Sequence, residues 1–153
     1  DPAAMSGEYA DETGIVSVGV DARNNSFILA DKSCRATPDA WARVAIKEYH
    51  FRNANLIVAE SNQGGEMVLQ TLRTVDPLVP VKLVHASQAK QARAEPIASL
   101  YEQRRVFHTG SFPELEDQLV SWTPEDGKSP DRLDALVWAC SELMLGQRAW
   151  LLA

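Results

Sequence analysis

Four acidic residues stand where an α/β chain usually places its chemistry. Glu60 closes an apolar run, NLIVAE at 55–60. A carboxylate buried beside Leu56, Ile57 and Val58 costs several kcal/mol unless it is paired or coordinated, so a partner is expected. Asp131 and Asp134 are spaced i, i+3 at the start of the last helical segment, which puts them on one face of its first turn. Asp1 opens the chain in Asp-Pro-Ala, a sequence suited to the end of a strand. Acids from strand ends and a helix N-terminus can bind hard divalent cations, which take oxygen ligands. Two such ions roughly 4 Å apart activate water and stabilise the leaving oxygen in phosphodiester hydrolysis. Each acid has a plainer reading as well. Asp131 suits the positive end of a helix dipole, Glu60 suits an ion pair with arginine, and Asp1 suits a disordered terminus.

The elements that must position these acids follow from the hydrophobic pattern. Residues 14–20 (GIVSVGV) and 26–32 (SFILADK) read as two strands, joined at the turn signal Asn24-Asn25. Thr37-Pro38-Asp39 is a helix start, with Trp41, Val44, Ala45 and Tyr49 at helical spacing. The run at 55–60 is a central strand buried on both faces. Gly64-Gly65 precedes a helix expected over 66–74, and 79–84 (VPVKLV) is a strand weakened at Pro80. A helix over 94–103, a short strand at 106–108, a helix over 112–123 and a polar loop at 124–130 come next. Pro130 starts the last helix, with Leu133, Leu136, Val137 and Cys140 on its apolar side. A hairpin followed by alternating strands and helices predicts an α/β fold with a mixed central sheet flanked by helices on both faces.

The 153 residues make about one domain, with 45% hydrophobic and 24% charged residues as in ordinary globular proteins. No apolar run approaches the roughly 20 residues that cross a bilayer. No basic-then-apolar leader opens the chain, so neither a signal peptide nor a membrane partner is expected. Cys34 and Cys140 lack metal-ligand spacing and suit a reduced compartment. The formal net charge of −6 argues by itself against binding a polyanion, although a divalent-cation site also concentrates carboxylates. His50, His85 and His108 lack zinc spacing. Gly127-Lys128-Ser129 resembles the end of a phosphate loop, but Trp122 stands where the leading glycine is needed. No ATPase motif is present, and the four tryptophans read as core or interface residues.

Several segments, in order, carry a family resemblance: DPAA at 1–4, DETGI at 11–15, IVAESNQGGEM at 57–67, VKLVHAS at 81–87, KQARAEP at 90–96, LYEQ at 100–103 and SPDRLDALVWA at 129–139. Together they resemble the C-terminal nuclease domain of phage terminase large subunits over nearly the whole chain. The resemblance implies a ribonuclease-H-like fold and Mg²⁺ or Mn²⁺ as a two-ion cofactor. It further implies cleavage of double-stranded DNA during viral genome packaging, in the cytoplasm of a bacterial host. It also implies a separate terminase ATPase domain, a small terminase subunit and a portal as partners. Carried over by position, the family's metal-binding acids fall on Asp1, Glu60, Asp131 and Asp134. Asp11 is an auxiliary acid whose alternative is a turn or capping role. In the family a whole strand precedes the Asp-Pro-Ala motif in mid-sheet, and this sequence is expected to lack it.

Lys90 and Arg93, with Lys82 and His85 upstream, make a candidate phosphate-contacting surface, the alternative being a solvated helix face. Asn62 and Gln63 suit substrate orientation or a turn. Arg104-Arg105 reads as ordinary surface. Two other functions compete with the packaging nuclease: a junction resolvase of the same fold, and a docking module that binds DNA or the packaging machinery without cutting.

Overall fold

A computed structural model describes residues 12–61, 65–126 and 130–145. Five strands and five α-helices follow along them: β1 (Val16–Val20), β2 (Ser26–Asp31), α1 (Pro38–Phe51), β3 (Ile57–Glu60), α2 (Gly65–Val75), β4 (Val81–Val84), α3 (Lys90–Glu102), β5 (Val106–His108), α4 (Pro113–Ser121) and α5 (Asp131–Cys140). The chain divides into two compact units. Of the described residues, one takes those up to Ile15 with those from Lys32 to Ser87; the other takes Val16–Asp31 with those from Gln88 onward. No helix among the described residues is long and apolar enough to cross a membrane.

The first unit is built on α1, α2 and the parallel pair β3–β4, with Ile57 opposite Val81 and Glu60 opposite Val84. Helix α1 begins where Thr37 and Pro38 require. The Thr37 hydroxyl accepts from the Ala40 N–H at 3.4 Å, and Pro38 occupies the first turn, where a missing N–H costs nothing. Two residues past its end at Phe51, Asn53 with a φ of 49° turns the chain out of the helical path. Trp41, Ala42 and Ile46 of α1 pack on Val68 and Leu72 of α2 and on Val79. Ile57, Ala59 and Val81 rest against that cluster. Side chains alternate along a strand, so Val58 and Glu60, with their register partners Lys82 and Val84, belong to the opposite face.

In the second unit β1 and β2 form the expected hairpin, and β5 adds to β2 in parallel, giving a mixed sheet ordered β1-β2-β5. The hairpin loop is organised by Asp21. Its carboxylate accepts from the N–H groups of Arg23 and Asn25, and the latter bond holds its pKa below the usual carboxylate range. Asn24 takes a φ of 62°, which asparagine tolerates. Arg105 reaches back to donate to the Asn24 carbonyl at 2.8 Å, so this basic residue anchors the hairpin. Ser26, Ile28 and Ala30 alternate into the interior. The core gathers Ile28, Ile97, Leu100, Val106, Leu115, Leu133, Leu136, Val137 and Cys140. Burial pushes the Cys140 thiol up to about 11, so it behaves as a small apolar group.

Helix α3 corrects a sequence expectation. It starts at Lys90 and not near Ala94. Pro96 lies inside the helix, where it removes the bond that Ala92's carbonyl would accept. The preceding turn still forms, with Arg93 N–H donating to the Ala89 carbonyl at 3.2 Å. Helix α4 is shorter at both ends than the expected 112–123, and a 3₁₀ turn (Pro124–Asp126) occupies part of the expected loop. After Cys140, α5 widens into a π-helical turn, Ser141–Leu145, which delivers Met144 to the core.

Leu136 has no exposed surface at the centre of this core. Leu136→Ala is expected to lower the unfolding free energy by about 2–5 kcal/mol through lost transfer energy and a residual cavity. Urea denaturation checks this; a loss well under 1 kcal/mol would show that α5 does not organise the core.

Candidate metal-binding acids and their partners

Glu60 is the last residue of β3 and is 8% exposed. Strand β4 ends alongside it at Val84, so the site residues of this unit lie at the carboxyl ends of two parallel strands. Open α/β sheets commonly bind ligands there. Beyond the strand ends the pairing continues through Ser61, whose N–H donates to the Val84 carbonyl at 2.8 Å. The buried Ser61 hydroxyl lies 2.9 Å from Nδ1 and 3.0 Å from Nε2 of the exposed His85. Helix α2 then opens on Gly65. A Cβ built there would fall 2.0 Å from the Ser61 Cβ, so only glycine lets the helix begin this close to the strand end.

Asp134 lies in the first turn of α5, with its N–H bonded to the Pro130 carbonyl at 3.0 Å. Its neighbours Leu133, Leu136 and Val137 are core residues, and the Asp134 side chain is itself only 6% exposed. Lys90, the first residue of α3, places its Nζ 2.6 Å from Asp134 Oδ2. One turn further, the Arg93 guanidinium lies over the Trp138 ring at 4.6 Å from its centroid. The i, i+3 pair on α3 thus meets the i, i+4 pair on α5 in two successive contacts. Asp131, the first residue of α5, is half-buried. Between the two acids, Arg132 donates from Nη1 to Asp31 Oδ2 at the end of β2, in a largely buried ion pair.

The sequence therefore located Glu60 at a strand end and Asp131 and Asp134 in a first helical turn, and the structure places them so. Lys82 is an exposed residue of β4, and Lys90 and Arg93 both belong to α3. Asp1, Asp11, Asn62 and Gln63 lie outside the described residues, as does Gly127-Lys128-Ser129. Among the described residues no three His, Cys, Asp or Glu side chains form a metal-binding group. Sequence reasoning missed two contacts, Ser61–His85 and Lys90–Asp134. The first was accessible in principle: Glu60-Ser61 and Val84-His85 are the two strand-end dipeptides, and correct register brings them together.

The family model for the terminase RNaseH-like domain matches residues 1–143. Among solved structures, the chain is similar to the large terminase nuclease of thermophilic phage G20c, determined with bound cobalt and with bound zinc. Identity is 15% in both, and the alignments cover 92% of this chain and 90% and 91% of the nuclease, with TM-scores of 0.59 and 0.60. It is also similar to the yeast mitochondrial Holliday junction resolvase Ydc2, at 11% identity over 90% of this chain and 75% of that one, with a TM-score of 0.57. Comparison with curated proteins gave no match. The fold is ribonuclease-H-like, as the family resemblance implied.

The contact of Gly65 with Ser61 supplies a test of how tightly the strand end is held. Gly65→Ala is expected to cost about 1–3 kcal/mol of stability by overpacking, and to shift the His85 ring resonances in NMR spectra. A variant with unchanged melting and unchanged His85 signals would mean that α2 does not constrain this loop.

Proposed function

The chain belongs to the terminase RNaseH-like domain family, and from that membership we propose that it is a divalent-metal-dependent endonuclease that cuts double-stranded DNA during viral genome packaging. The observation that carries this reading is the burial of Glu60 at the end of β3, within a family match that runs from residue 1 to residue 143. The proposed metal ligands and catalytic acids are Asp1, Glu60, Asp131 and Asp134, with Asp11 as an auxiliary.

The donor chemistry fits such a cofactor. These residues offer only carboxylate oxygens, which hard divalent cations prefer, and Asp134 already holds a cation, the Lys90 ammonium. The cobalt and zinc of the phage G20c nuclease structures support a divalent ion. We assign Mg²⁺ or Mn²⁺, two ions, on hard-donor grounds. When bound, such ions lower the pKa of a coordinated water and neutralise charge on the phosphate. The protein's own part is to hold the carboxylates in place. Burial of Glu60 and Asp134 removes competing water from their oxygens, and the strand end and helix turn leave each little conformational freedom.

Lys82, Lys90 and Arg93 are the proposed phosphate contacts, with Asn62 and Gln63 as orienting residues. Contacts of this type place a duplex without reading its sequence. A terminase ATPase domain, a small terminase subunit and a portal are the proposed partners, and the host cytoplasm the proposed compartment.

Supercoiled plasmid incubated with Mn²⁺ is expected to be nicked and linearised. EDTA should abolish the cutting, and Glu60→Ala should reduce it by about 100-fold or more. Cutting that survives Glu60→Ala unchanged would remove the acid from the mechanism. No metal-dependent cutting at all would leave a docking module as the function. Preferred cutting of a four-way junction over linear duplex would make the substrate class that of a resolvase.

A further inference from the structure

Lys90 contacts a proposed metal ligand, Asp134, and its charge has the same sign as the metal's own. Its ammonium sits 2.6 Å from Asp134 Oδ2, while the Asp134 side chain is 6% exposed and that of Lys90 is 37% exposed. The carboxylate is thus fixed inside the core of α5. The lysine reaches it from the solvent side, on a long stem at the very start of a helix. The residue before it, Ala89, provides no side-chain cap, and the first turn of α3 is instead secured to α5 by Arg93 over Trp138. Removing the ammonium from Asp134 therefore leaves the helix contact intact.

From this geometry we propose that Lys90 is a built-in stand-in for the metal ion. It neutralises Asp134 while no divalent cation is bound, and it leaves the carboxylate when one binds. The inference rests on the reading of Asp134 as a metal ligand. A buried carboxylate without a cation is strongly disfavoured, so the folded protein needs a positive charge at this point before metal arrives. An ammonium and a divalent ion on the two oxygens of one carboxylate repel each other in a medium of low dielectric constant. Occupancy by one therefore weakens the other. The displaced ammonium regains hydration at the exposed head of α3, where it becomes available to a phosphate. The ion pair seen here and the phosphate contact expected of Lys90 are then successive states of one side chain.

The test compares wild type, Lys90→Met and Lys90→Arg by Mn²⁺ titration calorimetry and by melting temperature with and without Mn²⁺. Lys90→Met should melt lower than wild type without metal, bind Mn²⁺ on the order of tenfold more tightly, and gain more melting temperature from it. Lys90→Arg, which keeps the charge, should stay close to wild type. Equal or weaker Mn²⁺ binding by Lys90→Met, beside normal binding by wild type, overturns the stand-in role and leaves the metal reading standing. Absence of Mn²⁺ binding in both overturns the metal reading and this inference with it. A second measurement covers a Lys90→Met protein that fails to fold. In wild-type protein the ¹⁵Nζ resonance of Lys90 should move to the position of solvated lysines as diamagnetic Mg²⁺ is added. A resonance unchanged at saturating Mg²⁺ would show that the ammonium stays on Asp134, and the proposal would be wrong.

Discussion

A carboxylate placed on the buried side of a helix must be given a cation, and much of the second unit's arrangement follows from that requirement. Helix α5 can join the core only by turning Leu133, Leu136, Val137 and Cys140 inward. Asp134 borders that arc and is itself buried, so the packing that buries the leucines also carries the carboxylate out of water. An ionised carboxylate in such surroundings costs several kcal/mol unless it is compensated. The compensation comes from α3, whose first turn brings Lys90 to Asp134 and Arg93 to Trp138. A third charged contact, Arg132 to Asp31, ties the same turn of α5 to the end of β2. The helix is thus fixed in rotation by its apolar face and along its axis by three cation contacts. Such fixing is what a carboxylate needs if its oxygens are to meet an ion without reorganising.

The first unit reaches a comparable result with a strand. Period-two alternation sends Ile57 and Ala59 into the α1–α2 core and assigns Glu60 to the other face. The strand then stops abruptly. Ser61 continues the pairing for one more residue through Val84, its hydroxyl is taken by His85, and Gly65 lets α2 start against it. The end of β3 is therefore enclosed by backbone bonds and a helix start, and the glutamate inherits a fixed position from them. A longer side chain at residue 65 would transmit its displacement to the residue adjoining Glu60.

How much of this was legible in the sequence depends on the range of the interactions involved. The end of β3 at Glu60, the start of α1 at Thr37-Pro38 and the start of α5 after Pro130 were all readable, because apolar periodicity and capping act over a few residues. The hairpin was readable for the same reason, although its loop is held by Asp21 and Arg105 as well as by Asn24. The first turn of α3 was not. It carries almost no apolar periodicity, so the pattern places the helix start at Ala94, four residues too late. What holds that turn lies 44 residues away at Asp134, and nothing local announces a contact of that span. Ser61 and His85, 24 residues apart, were hidden until the register of β3 and β4 was known. Asp134 was read from its spacing to Asp131 and from the family resemblance, which give a face of a helix and a role but say nothing of the counter-ion.

The same pairings bear on the formal charge of −6, which argues against binding DNA. Its basic residues are fewer in effect than in number. Arg43 is engaged with Asp39, Arg52 with Glu48, Arg132 with Asp31 and Lys90 with Asp134, and a cation already neutralised contributes little counter-ion release. Attraction for a polyanion must then come from local change and not from the protein's average field. On the proposed function, a divalent ion taken up at Asp134 would supply positive charge at an acidic point of the protein. If it also frees Lys90, it adds a mobile cation at the head of α3. An acidic protein can in this way stay weakly attractive to DNA until its cofactor is bound, and metal loading would govern DNA affinity and cleavage together.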